Sequence, residues 1–102
     1  MYFQMNDRLG ISVPYLMKEW ADYSIQEQEH IIHQWEQIRG SIPDRIQSLE
    51  AEINERQAML EREENFRRSC RLNEEIGELA SIINDLWLWF RTTPSVEKEH
   101  IC

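Results

Sequence analysis

The predicted fold of this chain follows from five residues near its middle, Gly40-Ser41-Ile42-Pro43-Asp44. Glycine commonly ends a helix, serine commonly caps the next one, and proline fits the first helical turn, where its missing N–H is not needed. Asp44 stands three residues after Ser41 and supplies an acidic capping-box partner. This stretch therefore predicts a tight turn between two antiparallel helices, an αα-hairpin.

The first helix is predicted over about residues 13–39, with the turn at residues 40–42. Its apolar residues recur at steps of three and four, which indicates one buried stripe along its whole length. The stripe consists of Leu16, Trp20, Tyr23, Ile31, Trp35 and Ile38. Ser24 and Glu27 form a second capping-box pattern, so a helix that restarts after a kink at Tyr23-Ser24 is the alternative.

The second helix is predicted over about residues 42–91, and it carries two apolar seams. It would be roughly 75 Å long, against roughly 40 Å for the first helix. The first seam is formed by Ile42, Ile46, Leu49, Ile53 and Leu60, and the second by Leu72, Ile76, Leu79, Ile83, Leu86 and Phe90. The two seams point in directions that differ by roughly a third of a turn. Because the first helix reaches only the first seam, we expect another chain to cover the second.

The second seam is the predicted interface of the protein, and it is broad because tryptophans flank it. Its members are Leu72, Ile76, Leu79, Ile83, Leu86, Trp87, Trp89 and Phe90. Large exposed aromatics are common anchors of protein interfaces. The predicted fold is thus an all-α hairpin that forms a coiled-coil or four-helix-bundle homo-oligomer, most simply a dimer. In such an assembly, substitution of Leu86 by glutamate is expected to dissociate the oligomer.

Length and charge limit the classes of function that remain. The chain has 102 residues, which suffices for one domain, and a formal net charge of -8 from 19 acidic and 11 basic residues. This balance argues against direct nucleic-acid binding, because phosphate contacts need clustered Lys and Arg. A short basic cluster of Arg67, Arg68 and Arg71 is expected to pair with acidic residues one turn away. Those partners would be Glu63, Glu64, Glu74 and Glu75.

Compartment and chain ends give weaker expectations. Two distant cysteines, Cys70 and Cys102, suggest no disulfide framework and hence a reduced, cytoplasmic environment. No apolar stretch is long enough to cross a membrane. Tyr2-Phe3-Gln4 before Met5 is similar to a protease-site tag remnant, which makes Met5 a possible native start and leaves residues 1–4 outside the predicted fold. Residues 1–11 are predicted to be a disordered N-terminus. Thr92-Thr93-Pro94 is expected to open a flexible tail over residues 92–102.

An acidic segment of the second helix suggests one enzymatic alternative. Glu74-Glu75-Ile76-Gly77-Glu78-Leu79-Ala80, followed by Asp85-Leu86-Trp87, resembles the acidic helix of MazG-like nucleotide pyrophosphohydrolases, an all-α, Mg²⁺-dependent family. The resemblance implies Glu75 and Glu78 as a first pair of metal ligands, with Asp85 as a later one. It covers about a dozen residues, a length at which chance matches occur in Glu-rich helices. A solvated acidic edge explains the same residues, so no cofactor is predicted.

The sequence therefore predicts a small, non-catalytic regulator or adaptor that binds itself and an unidentified protein partner by helix docking. It contains no Gly-rich phosphate loop, no Ser/His/Asp arrangement and no zinc-spaced Cys/His set. The alternatives are the MazG-like enzyme and an acidic inhibitor that mimics nucleic acid. Mg²⁺-dependent nucleotide turnover would indicate the enzyme, and salt-sensitive binding to a basic protein would indicate the inhibitor.

Overall fold

The computed structural model describes residues 1–92 and is mostly helical, as expected, with a small two-stranded sheet in addition. The predicted tail from residue 93 onward lies outside the described residues. The elements are β1 (Phe3–Asn6), β2 (Ile11–Pro14), a short 3-10 helix (Trp20–Asp22), α1 (Ile25–Gly40), α2 (Ile42–Arg62) and α3 (Phe66–Phe90). Helices α1 and α2 form one long bent helix, and α3 is the second long helix.

Helix α1 begins at Ile25, so the expected start near residue 13 is wrong; the capping box of Ser24 and Glu27 is confirmed, but the residues before it form a strand and a 3-10 turn instead of a kinked first part of the helix. The Glu27 N–H donates to Ser24 Oγ, and the Ser24 N–H donates to Glu27 Oε1, each at 3.1 Å. The hydrogen bond from the Ser24 backbone lowers the pKa of Glu27 below its ordinary value, since it stabilises the carboxylate. This capping box sets the start of α1. The residues just after Gly10 form strand β2, so the helix does not extend back to residue 13.

The chain does not reverse at residues 40–42, contrary to the expected hairpin turn. Gly40 is the last residue of α1, and Ser41 has right-handed helical dihedral angles, φ -88° and ψ -10°. The Ser41 hydroxyl donates to the Ile38 carbonyl at 2.6 Å and makes no cap for α2. Pro43 fits the first turn of α2 because it needs no N–H partner there. The chain therefore bends at this point and continues in a second helix.

The reversal lies instead between α2 and α3, so the expected continuous helix over residues 42–91 is also wrong. Glu63 and Asn65 have extended backbone conformations, and Asn65 Oδ1 accepts a hydrogen bond from the Arg68 N–H at 3.1 Å, which caps α3. Helix α3 then runs back along α2. The two arms are roughly 31 and 37 Å long, and this reversal lets the two apolar seams face each other.

The N-terminal residues form a hairpin that packs on the helices, so the expected disorder of residues 1–11 is wrong. Strands β1 and β2 are antiparallel, with Asn6 opposite Ile11. Gly10 adopts φ 78°, a left-handed conformation that favours glycine, and the Leu9 N–H donates to Asn6 Oδ1 at 3.0 Å. Arg45 Nε donates to the Leu9 carbonyl at 2.9 Å, which fastens the turn of the hairpin to α2.

The core lies where this hairpin meets all three helices. Its buried members are Leu9, Ile11, Trp35, Ile42, Ile46, Leu49, Ile82 and Leu86. Two hydrogen bonds join the end of α3 to α1: Trp35 Nε1 donates to the Thr92 carbonyl at 2.6 Å, and Arg39 donates to the Phe90 carbonyl at 2.9 Å. The chain therefore covers much of the second seam itself. The premise of the expected covering chain, an α3 that runs away from the rest of the molecule, is wrong, whereas a second chain on this seam stays a prediction.

Replacement of Gly40 by alanine tests the helical path through residues 40–42. A Cβ added at Gly40 would meet no atom within 4 Å, and the residue does not have a positive φ. The alanine variant should therefore gain about 0.5–1 kcal/mol in free energy of unfolding, since glycine is a poor helix former. Thermal denaturation followed by circular dichroism measures this change. A lower melting temperature would instead indicate a left-handed turn glycine at this position.

Candidate interaction surfaces

Most of the predicted interface residues lie inside the folded chain. Leu72 and Leu86 are buried. Ile76 is half-buried. The half-buried residues that pack against the core are Leu79, Ile83, Trp89 and Phe90. Trp87 is 37% exposed, which is more than any other residue of the predicted interface. The second seam therefore acts largely as core, and a docking surface must be sought beside it.

Aromatic contacts explain why the tryptophans at the end of α3 differ in exposure. The Trp89 ring meets the buried Trp35 ring edge to face, with centroids 5.8 Å apart. Phe90 lies under the Arg39 guanidinium at 5.1 Å, a cation–π contact. Trp87 touches only the edge of this group, through a perpendicular contact of 5.5 Å with Phe90. Trp89 and Phe90 thus fix α3 to α1, whereas Trp87 lies at the solvent-exposed edge of this aromatic group.

The three candidate metal ligands each bond to an arginine from another element. Glu75 pairs with Arg56 of α2 at 2.9 Å. Glu78 and Asp85 both pair with Arg8 of the β-hairpin, at 3.0 and 2.7 Å. The hydrogen bond that Arg8 donates to Asp85, followed by the one that it donates to Glu78, raises the pKa of Arg8 above its ordinary value. These carboxylates therefore fasten the hairpin and α2 to α3.

The same geometry gives no support to a multi-carboxylate metal site. Hard cations such as Mg²⁺ need several converging oxygen ligands. Within residues 1–92, the His, Cys, Asp and Glu side chains form no group of three that could hold a metal ion. The ligands implied by the MazG resemblance stay a prediction, and each would first have to leave its arginine.

One exposed face of α3 carries no charge and defines what we call the neutral stripe. It consists of Asn73, Gly77, Ala80, Asn84 and Trp87, which recur at steps of four and three and are all exposed. At about 100° per residue, these positions fall within about 80° of one another around the helix. All seven charged residues of α3 lie outside this sector. The spacing of these uncharged residues can be read from the sequence. The adjacent Leu and Ile seam is the stronger pattern, and it was therefore predicted to be the interface.

A groove between α2 and α3 runs beside the neutral stripe. It has a volume of about 420 Å³, and Ile53 and Ile83 form its apolar floor. Ala80 belongs to both the stripe and the groove, while Asn54 and Gln57 supply uncharged polar groups from α2. A helix laid on the stripe would therefore contact small, polar uncharged and apolar side chains together.

The basic residues at the α2–α3 turn are not neutralised as expected. Among residues 1–92, Arg67, Arg68 and Arg71 take part in no ion pair within 4 Å. Glu75, one of the expected partners, pairs with Arg56 instead. Glu63 accepts a hydrogen bond from the Asn65 backbone N–H at 3.1 Å. Within residues 1–92, the end of the helical hairpin thus presents exposed guanidinium groups that make no ion pair.

No protein-family model, curated protein or solved structure gave a significant match to this chain. Within residues 1–92, no helix is both long and apolar enough to cross a membrane. The neutral stripe and the exposed arginines of the α2–α3 turn are therefore the features that suggest a function.

Proposed function

We propose that this chain is a non-catalytic protein interaction module that forms a homodimer through the neutral stripe and the groove beside it. Helices α2 and α3 of each copy would together form a four-helix bundle, an arrangement in which two-helix layers cover each other's open sides. The observation that supports this most directly is the uncharged, exposed face of α3 in a chain of net charge -8.

Charge determines which faces of two identical acidic molecules can approach. Each copy carries the same excess of carboxylates, so most pairs of faces would bring like charges together. Pairing through the neutral stripe avoids this repulsion over the length from Asn73 to Trp87. The argument is specific to a second copy, since a basic partner would gain attraction from the charged faces instead.

The side chains of the stripe also suit close packing of helices. Gly77 and Ala80 are small enough to let two helix backbones approach each other closely. Trp87 of one copy would supply the large aromatic side chain that hot spots of interfaces commonly contain. The groove floor of Ile53 and Ile83 adds apolar surface beside Ala80, and both residues are half-buried in the single chain.

An antiparallel pairing of the two α3 helices is the orientation that we propose. A parallel pairing would place the ends of like partial charge of the two α3 helix dipoles side by side, which is unfavourable. An antiparallel pairing places opposite ends of the two dipoles together. Its two-fold axis would pass near Ala80, the midpoint of the stripe, so that the two copies of Ala80 face each other.

Replacement of Gly77 by arginine tests the dimer without disturbing the single chain. A Cβ at Gly77 would meet no atom within 4 Å of its own chain, so the new side chain is accommodated in the monomer. In the dimer it would place a charge in the contact, and the dissociation constant should rise at least about 100-fold. Sedimentation equilibrium measures this value, and circular dichroism checks that the fold is kept. The matched control is Gly77→Ala, which should remain a dimer.

Disulfide cross-linking tests the orientation in a background where Cys70 and Cys102 are replaced by serine. Ala80→Cys should form a disulfide with its copy, because a two-fold axis brings the two positions together. Asn73→Cys should not, since antiparallel helices would separate its two copies by roughly 21 Å. Cross-linking at both positions would favour a parallel pair. A wild-type chain that stays monomeric at high concentration would contradict the proposed function itself.

A further inference from the structure

The β-hairpin, residues 3–14, is held on the helices by few buried side chains. Among residues 1–22, only Leu9 and Ile11 are buried. Each strand has four residues, and a pair of strands this short is at best marginally stable in water by itself. The hairpin therefore keeps its structure only while it lies on the helices, so its release and its unfolding are one event.

The side-chain bonds that tie the hairpin to α1 and α3 lie near the surface. Arg8, whose side chain is 40% exposed, donates to Glu78 and Asp85 of α3 at 3.0 and 2.7 Å. Tyr2, just before β1, donates to Glu27 of α1 at 3.1 Å. Water competes for ion pairs of this exposure, which makes each of them weak. These bonds therefore position the hairpin and add little to the cost of releasing it.

The three helices make contacts of their own that do not involve the hairpin. Helices α2 and α3 join toward their shared turn, where Arg56 pairs with Glu75 and Leu72 is buried. The end of α3 is bonded to α1 through Trp35 and Arg39. The buried cluster members that lie on helices are Trp35, Ile42, Ile46, Leu49, Ile82 and Leu86. Release of the hairpin would thus uncover an apolar cleft between helices that stay joined.

The segment between the hairpin and the helices has the properties of a hinge. Residues 15–19 belong to no helix or strand, and four of these five residues are exposed. The Met17 and Lys18 N–H groups donate to Tyr23 Oη, at 3.1 and 3.3 Å, and Tyr23 is buried beside the start of α1. These bonds hold the far end of the segment, so the hairpin can swing away while α1 keeps its place.

We infer that the β-hairpin is a releasable cover, which opens as a unit and exposes the apolar cleft between the helices. In the closed state the cleft holds Leu9 and Ile11, and Arg45 Nε bonds to the Leu9 carbonyl at 2.9 Å. A ligand of this cleft must displace the hairpin, so its affinity is reduced by the fraction of molecules that are open. The inference does not rest on the proposed dimer, because the hairpin and the neutral stripe lie on different sides of α3.

Hydrogen exchange of the full chain, followed amide by amide by NMR, tests the inference. The hairpin is followed through amides that bridge its strands, such as Tyr15 N–H, which donates to the Tyr2 carbonyl at 2.9 Å. The helices are followed through the amides of the buried residues Ile46 and Leu86. If the cover opens by itself, the hairpin amides should be protected at least about tenfold less than the helix amides. Equal protection of both sets would overturn the inference, since the hairpin would then open only when the whole chain unfolds.

A substitution in the α2–α3 contact separates opening of the cover from unfolding of the chain. Leu72→Ala removes a contact that the open form keeps, so the helix amides should exchange at least about tenfold faster. The hairpin amides should stay within about twofold of their wild-type rates. The milder Leu72→Val should act in the same direction if the alanine variant does not fold. Equal acceleration of both sets would contradict an independent cover.

A substitution under the cover should act on both sets of amides. Ile11→Val weakens a contact that is lost in the open form and in the unfolded chain, so both sets should exchange faster by the same factor, about three- to tenfold. The matched control is Ile25→Val, because Ile25 is 73% exposed, and both sets should then stay within about twofold. Hairpin amides that keep their wild-type rate in Ile11→Val would overturn the inference.

The Gly77→Arg variant separates this inference from the proposed dimer. Its hairpin and helix amides should show the same two levels of protection as the wild-type chain, although the variant is expected to be a monomer. Sedimentation of the Ile11→Val variant should still find a dimer. Either proposal can therefore fail while the other holds.

Discussion

Leu86→Ala is expected to lower the free energy of unfolding by about 2–5 kcal/mol, the usual effect of a cavity at a buried leucine. Leu86 has 0% exposure and belongs to the cluster in which the β-hairpin meets the helices. Since a small domain gains only about 5–15 kcal/mol in total, the loss should move the melting temperature by about 10 °C or more. Urea denaturation and thermal melting both measure it.

Leu88→Ala is the matched control for this change. Leu88 lies two residues further along the same helix and is 54% exposed, so its truncation should alter stability by less than about 0.5 kcal/mol. Equal effects at both positions would contradict the path of α3 described above. So would a Leu86 variant that dissociates without losing stability, because that result would place Leu86 between chains instead of inside one.

Leu9→Ala should have an effect of the same size, about 2–5 kcal/mol, although Leu9 lies in a turn near the N-terminus. Its side chain is buried against the helices, and its carbonyl accepts the hydrogen bond from Arg45. Truncation would leave a cavity under a backbone that is held in place. Chemical denaturation of the full chain measures the loss.

The control for the hairpin is Met5→Ala, in the neighbouring strand. Met5 is 58% exposed, so the variant should stay within about 0.5 kcal/mol of the wild-type chain. A disordered N-terminus would make both substitutions neutral. Such a result would mean that the β-hairpin does not pack on the helices and that the helical core is exposed on that side.

The hairpin also bears on where a second copy can bind. Arg8 bonds to Glu78, Ser81 and Asp85, so the hairpin occupies the acidic edge of α3. The neutral stripe lies on the other side of the helix and stays uncovered. Self-association, predicted at first through the Leu86 seam, is therefore proposed through the adjacent face centred on Ala80.

Part of the fold and of the candidate site was predictable because it depends on local chemistry. The capping box of Ser24 and Glu27 marks the start of α1 whatever the rest of the chain does. The spacing of apolar residues likewise identified α2 and α3 as helices and Leu86 as a residue to be covered. The pattern does not say what packs against this seam, since a neighbouring segment of the same chain and a second chain would both suit it.

The helical class, the capping box of Ser24 and Glu27 and the apolar faces are all readable from the sequence, because each follows from interactions between residues a few positions apart. The tertiary structure alone decided where the chain reverses. Gly40-Ser41 and Glu63-Asn65 are both able to interrupt a helix, and the reversal at the second site lets the seams of α2 and α3 bury each other. It also decided that Leu9 is core, because a short strand pair is stable only against a surface that the distant helices provide.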